Sequence, residues 1–211
     1  MRNIIDIYEG VFDKSNASNV GKQLETQAIQ DKIMSVLKDK EKYYFDPRFE
    51  NDPDYFTIYK KGNKWFVDVN GWIVVYANEI TDGSFYFGNI ANDFAVIPKV
   101  KDGLKSLQYG PHTVKGSFKV VDALGLNDLK GCPKTVYDSV EISKTGITTL
   151  KYFPTIVGGS VYIQNNEFLV RFHDTKRCTV LYIINISNNG GEVERKQDIK
   201  WISQADKYRF W

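Results

Sequence analysis

The chain has 211 residues, enough for one domain or two small ones and for a core that needs neither a metal nor a disulfide. Its 42% hydrophobic and 26% charged residues exclude a disordered chain, and with no run of eighteen apolar residues a membrane-spanning helix is excluded too. The formal charge of +2 is uneven, with 12 Lys/Arg against 15 Asp/Glu in residues 1–100 and 16 against 11 in residues 101–211, well short of the basic density of a nucleic-acid groove.

Ile4, Ile5, Ile7, Tyr8, Val11 and Phe12 fall at helical spacing and predict a short amphipathic helix. The polar piece from Asp13 to Asn19 is expected to break it; its NAS triplet matches a glycosylation acceptor but reads as a linker. Val20, Leu24, Ile29, Ile33 and Leu37 then stripe a second helix. The opening MRNIIDIYEG has an acid inside its apolar stretch and does not read as a signal peptide. With only two cysteines, a reducing cytoplasm is the expected compartment.

Residues 43–56 are aromatic and acidic, with two Asp-Pro pairs that favour turns. Strands follow, with one turn at KKGN (Lys60–Asn63) and a second at Asn70-Gly71, the strongest hairpin signal in the chain. Trp65, Val67 and Val69 alternate against Phe66 and Asp68, and Ile73 and Val75 against Trp72, Val74 and Tyr76. Both faces are partly apolar, which predicts packing on two sides or an exposed aromatic patch.

The dominant signal is a repeat. Pro111, Pro133 and Pro154 stand 22 and 21 residues apart, and Leu104/Leu126/Ile147, Leu107/Leu129/Leu150, Val114/Val136/Val157 and Ser117/Ser139/Ser160 keep the same step. Each serine leads into an alternating pair: Phe118 and Val120, Val140 and Ile142, Val161 and Ile163. Phe94 and Val96 form a worn copy 24 residues upstream; downstream, Phe168, Cys178, Tyr182 and Ile184 extend the 21-residue step. Such a unit cannot bury its own apolar side, so successive copies must stack, with like residues in ladders along one core. One short strand per turn, paired in parallel with its counterpart in the next turn, is the expected form; one hairpin per unit is the competing topology.

LKGCPKTV from Leu129 and PTIVGGSVYIQNN from Pro154 resemble the short leucine-rich-repeat-like modules of tailed phages and some bacteria, spelled Leu-x-x-Leu-x-Gly-Cys-Pro-x-x-Val-Gly-Gly. The resemblance spans roughly residues 80–190, and the first copy departs from it at Tyr109-Gly110-Pro111 and Lys115-Gly116. It implies a repeat protein whose work is contact with another protein, and it carries no shared catalytic residues.

The C-terminal stretch leaves the repeat, with Trp201, Tyr208, Phe210 and Trp211 set among charges. It reads either as a cap on the last coil or as an aromatic tail that anchors a partner. Lys119 and Glu141, at neighbouring strand positions, are the candidate binding residues on a strand face, and recurring lysines there would steer an acidic partner. Cys132 occupies a slot filled by Gly110 and Phe153 in adjacent copies, so it reads as a packing residue; Cys178 reads as a small buried hydrophobe. His112 and His173 read as turn residues, and the Cys/His spacing argues against zinc. The carboxylates of Asp46, Glu50, Asp52 and Asp54 beside aromatics offer the one sugar-binding or glycan-hydrolysing alternative.

The expected molecule is α+β: an N-terminal helical segment (1–42), an aromatic and acidic segment with a β-hairpin (43–79), a leucine-rich-repeat-like β-solenoid of four to five units of 21–24 residues (80–187) and a C-terminal cap (188–211). The expected function is non-catalytic protein binding, as a phage accessory factor that engages a host protein in its cytoplasm, or as a minor virion component. No catalytic residue, cofactor or metal is expected, nor a membrane or nucleic-acid partner.

Overall fold

The structure, a computed structural model, describes residues 14–170, 178–190, 202–203 and 207–210, with side chains described from residue 22 to 190 within these bounds. The apolar stripe Ile4–Phe12, His173, Trp201 and Trp211 lie outside the described residues. The chain divides into two compact units, residues 1–39 and 40–211.

In the first unit, helix α1 (Lys14–Leu37) begins inside the polar stretch Asp13–Asn19, ahead of Val20 where the second apolar stripe starts. Asn and Ser weaken a helix by only a fraction of a kcal/mol each, less than continuous propagation returns over 24 residues. Ile33 and Leu37 are buried, whereas Leu24 and Ile29 of the same stripe are exposed.

The second unit is a β-solenoid. Strands β4 (Ile73–Tyr76), β6 (Phe94–Ile97), β8 (Phe118–Val121), β10 (Val140–Ser143), β12 (Val161–Gln164), β14 (Ile183–Ser187) and β16 (Lys207–Phe210) pair in parallel in one sheet. A second parallel sheet stacks β3 (Lys64–Val69), β5 (Tyr86–Ile90), β7 (Thr113–Val114), β9 (Thr135–Val136), β11 (Ile156–Val157), β13 (Cys178–Val180) and β15 (Ile202–Ser203). Each turn thus carries two strands, one per sheet, rather than one. The two-residue strands are too short to show alternation, so the valine ladder at 114, 136 and 157 concealed a sheet of its own. Five turns, β5–β6 to β13–β14, occupy residues 80–187 as expected, and among the described residues β3–β4 and β15–β16 add one at each end; no helix lies within them, unlike the strand-and-helix units of leucine-rich repeats.

At the N-terminal end both sheets are closed by an antiparallel strand, β1 (Tyr43–Phe45) on β4 and β2 (Phe56–Lys61) on β3. The edges of the two sheets at this end are thus β1 and β2, whose direction breaks the parallel stacking of the coils. The KKGN turn forms the β2–β3 hairpin through Gly62 at φ +61°. Asn70-Gly71 forms no hairpin; it turns the chain from one sheet into the other, and the Tyr55 ring fills the space where a Cβ at Gly71 would sit, so only glycine fits there.

Register pairs Ile73, Phe94, Phe118, Val140, Val161, Ile184 and Tyr208 in succession, giving steps of 21, 24, 22, 21, 23 and 24 residues. The step into the coil of β14 is therefore 23 and not 21. Val180, Ile184 and Ile186 hold the ladder places expected for Cys178, Tyr182 and Ile184, and Leu169 is buried where Phe168, 55% exposed, was expected. A two-residue slip in a strand preserves which side chains face inward, so alternation cannot detect it.

The core lies between the sheets and the leucine-bearing loops. Leu104, Leu126, Ile147, Leu107, Leu129 and Leu150 are each at most 1% exposed, as are Val114, Val136 and Val157. Before each Pro, Ser106, Asp128 and Thr149 accept a hydrogen bond from the backbone N–H two residues on, so the same loop is tied off in three successive coils.

Candidate functional site

Residues 43–56 form the solenoid's aromatic plug rather than an open acidic site. Tyr55 packs against Phe45, Phe49 and Phe56 at 5.0–5.5 Å between ring centroids, and its hydroxyl donates to the Trp72 carbonyl at 2.6 Å. Three of the four candidate carboxylates have local work. Asp46 accepts from the Arg48 guanidinium at 2.6–3.1 Å, and this hydrogen bonding holds its carboxyl below the usual range. Glu50 pairs with Lys40 at 2.7 Å, and Asp52 accepts from the Asp54 N–H at 2.9 Å.

Lys119 and Glu141 face solvent side by side in register on β8 and β10, and they pair with each other at 3.4 Å. A surface pair of this kind contributes at most about 1 kcal/mol. Its effect here is to cancel the positive charge expected of that face. Tyr208 and Phe210 lie in β16 at register positions whose counterparts Ile184 and Ile186 are buried in the core.

The outer face of the second sheet carries what the sequence reading missed. Tyr59 on β2 stacks on Phe66 of β3 at 5.6 Å, Phe66 packs on Tyr86 of β5 at 5.5 Å, and Tyr86 meets Tyr109 at 4.9 Å. All four are partly exposed. The Lys64 ammonium sits 4.7 Å from the centre of the Tyr86 ring. The row begins where β2 and β3 place Tyr59 opposite Phe66 on the outward side, with Val67 and Val69 inward. Cross-strand aromatic pairs of this spacing contribute roughly 0.5–1.5 kcal/mol beyond burial.

Where the repeat begins, the row is governed by a turn. Tyr109, Gly131 and Tyr152 occupy one repeat slot with φ of 71°, 97° and 71°. In each turn the following N–H returns to the leucine carbonyl, as Gly110 to Leu107, Cys132 to Leu129 and Phe153 to Leu150, at 2.9–3.0 Å. A left-handed position in such a turn favours glycine, and a bulky residue there costs on the order of 1–2 kcal/mol. Two copies nevertheless carry tyrosine, and Tyr152 is 48% exposed.

The glycine copy leaves a groove of about 640 Å³ in the row, lined on its two sides by Phe66 and Tyr86 and by Tyr152 and Phe153. Its basic lining residues are His112, Lys134 and Lys151. The letters YGP, GCP and YFP, aligned in phase, were the available clue.

Cys132 also lines this groove, and no hydrogen bond joins it to His112 among the described residues. Burial pushes the Cys132 thiol well up, with buried Cys178 nearby adding to the shift; Cys178 itself is pushed up to about 12 by burial. Both are neutral thiols at pH 7, the opposite of a nucleophile's tuning. In the unfolded chain such a thiol ionises above about 8.5. The Cys178 contribution is therefore whole below that pH and lost as pH climbs towards 12, at up to about 1.4 kcal/mol per pH unit. Urea unfolding of wild type and Cys178→Ala at pH 8 and 10.5 checks this: the wild type should lose about 2 kcal/mol more than the variant between the two, and equal losses would refute it.

No group of three or more His, Cys, Asp or Glu side chains among the described residues could hold a metal ion, and no described helix is long and apolar enough to cross a membrane. No family model, curated protein or solved structure matches the chain. What stands on the geometry alone is a repeat β-solenoid that displays an aromatic row interrupted by one basic groove.

Proposed function

We propose that the protein is a non-catalytic binding scaffold, and that the outer face of the second sheet, from Tyr59 to Tyr152, is its contact surface for another protein. The observation that carries this reading is the row of half-exposed rings held in place from β2 across β3 and β5 to the turn before β7. Aromatic side chains on a rigid support give large contact area with little side-chain entropy to lose, and tyrosine is favoured among residues that dominate binding energy. Solenoids of parallel coils lend themselves to this, since each turn adds one more rung to a surface of fixed pitch. The finer reading, a phage-encoded accessory factor acting on an acidic host protein, is supported by the repeat's spelling and by the basic groove.

The test is capture on the immobilised protein from a bacterial host lysate. A defined protein is expected on the wild type and on the Lys119→Ala/Glu141→Ala variant of the opposite sheet. It should be lost on Tyr86→Ser/Tyr152→Ala, whose circular dichroism and melting remain those of a folded chain. Equal capture by all three would place the contact elsewhere, with Trp201, Tyr208, Phe210 and Trp211 the next residues to replace. Capture of nothing would defeat the reading.

A further inference from the structure

The groove at Gly131 has a size, a length and a charge, and together they describe an occupant. The lining residues come from five adjacent turns: Phe66 on β3, Tyr86 and Phe87 on β5, and the corners leading into β7, β9 and β11. Four steps between strands about 4.8 Å apart make a length of roughly 19 Å. That span is long for a single small ring system. It suits about six residues of extended chain at about 3.3 Å each.

The chemistry is as definite. In this slot Tyr109 and Tyr152 carry rings and Gly131 between them carries none. The rings of the row that precede the gap are spaced 4.9–5.6 Å in stacked, tilted and edge-on contacts, the range of packed aromatic pairs. A planar ring entering at Gly131 would restore the missing rung. No side chain of this turn can do so unaided, because a Cβ on Gly131 would run into the Leu107 carbonyl. The basic side chains here are His112, Lys134 and Lys151, and the lining contains no carboxylate. Lys151 already lies over the Tyr152 ring at 5.2 Å, so the positive charge sits at the rim of the aromatic wall.

We propose that this groove binds an extended, acidic segment of a partner protein and seats one of its aromatic side chains in the gap at Gly131, with flanking Asp or Glu residues facing His112, Lys134 and Lys151. The proposal rests on the protein-binding reading above and names the kind of segment that reading requires. Neutral hydrophobic segments would leave the Lys134 and Lys151 ammonium groups desolvated without a partner, and basic ones would be repelled.

Fluorescence anisotropy with three labelled hexapeptides tests it: EDWEDE, its leucine counterpart EDLEDE and its lysine counterpart KKWKKK. EDWEDE should bind at least tenfold more tightly than either of the others, and more weakly as salt is raised from 50 to 300 mM. Cys132→Phe should weaken it at least tenfold, since the next copy already houses Phe153 in that slot and the added ring fills the gap. Tyr152→Ala, an exposed change that leaves the core untouched, should weaken it to a similar degree and serves if Cys132→Phe fails to fold. Lys134→Glu/Lys151→Glu should reverse the preference between EDWEDE and KKWKKK. Equal binding of the three peptides, no binding of any, or full binding by Tyr152→Ala overturns the proposal. So does indole-3-acetate that binds as tightly as EDWEDE, because the groove would then take a small planar anion. Captured protein that stays on Cys132→Phe and Tyr152→Ala while peptide binding is absent would sink this assignment and leave the scaffold reading intact.

Discussion

Replacing Phe118 by alanine is expected to cost about 3–5 kcal/mol, the range for deleting a large ring from a core that cannot collapse around the space. Phe118 is 1% exposed, stacks on Phe94 with ring centroids 6.1 Å apart, and is followed in the ladder by Val140. Its β8 strand is hydrogen-bonded on both sides, by β6 and β10. In a stacked array each turn is stabilised mainly by its neighbours, so a loss in the middle also uncouples the turns on either side. Against a total stability of about 5–15 kcal/mol, urea unfolding followed by circular dichroism should shift to a much lower midpoint and broaden. Hydrogen exchange should show strands before β8 and strands after it opening separately. Phe168→Ala is the matched control: this ring is 55% exposed, so its loss should stay within about 0.5 kcal/mol. If the two variants unfold alike, the ladder assignment is wrong.

That control also marks how far the sequence could be read. The ladders from Phe94 to Ile163 were legible because parallel stacking demands that like residues recur in phase, and seven slots did so across three copies. Past Ile163 the only remaining guide was alternation. Because alternation is blind to a shift of two, the ladder places of Val180, Ile184 and Ile186 were expected two residues early, and in the loop before them, where no alternation runs, Phe168 stood for the buried Leu169. The start of the coil was hidden for a different reason. β3 and β4 belong to the parallel sheets, but their neighbours β2 and β1 are antiparallel, and the Asn-Gly pair between β3 and β4 mimics a hairpin. The aromatic row lay beyond reach for a third reason: Tyr59, Phe66 and Tyr86 precede the copies that share a spelling, and they meet only across strands. Tyr109, Gly131 and Tyr152 were visible as letters in one slot. Their significance needed the backbone, since nothing in the letters says that all three sit at positive φ.

The second large effect is expected at Asn166, a fully buried polar residue in a turn whose asparagines would ordinarily be assigned to solvent. The pair Asn165-Asn166 divides the labour. Asn165 takes φ +56° at the exposed corner, a conformation that asparagine tolerates better than most residues, while Asn166 turns inward. The Asn166 side-chain oxygen accepts from the Thr145 N–H at 3.0 Å and from the Thr145 hydroxyl at 2.6 Å. Its amide donates to the Ile142 carbonyl at 3.1 Å and to the Asn189 side-chain oxygen at 3.0 Å. Asn189 repeats the arrangement one turn on, donating to the Ile163 carbonyl at 3.0 Å. Asn166→Leu keeps the size but strands the Thr145 N–H, the Thr145 hydroxyl and the Ile142 carbonyl, at about 1–3 kcal/mol for each buried group left without a partner. A total loss of about 3–5 kcal/mol should result, measured by urea unfolding. Thr145→Val removes one of the stranded groups, so the double variant should be at least about 1 kcal/mol more stable than the sum of the single losses implies. Strict additivity, or a loss under about 1 kcal/mol for Asn166→Leu alone, would mean that water reaches this corner and the asparagine stack does not tie one turn to the next.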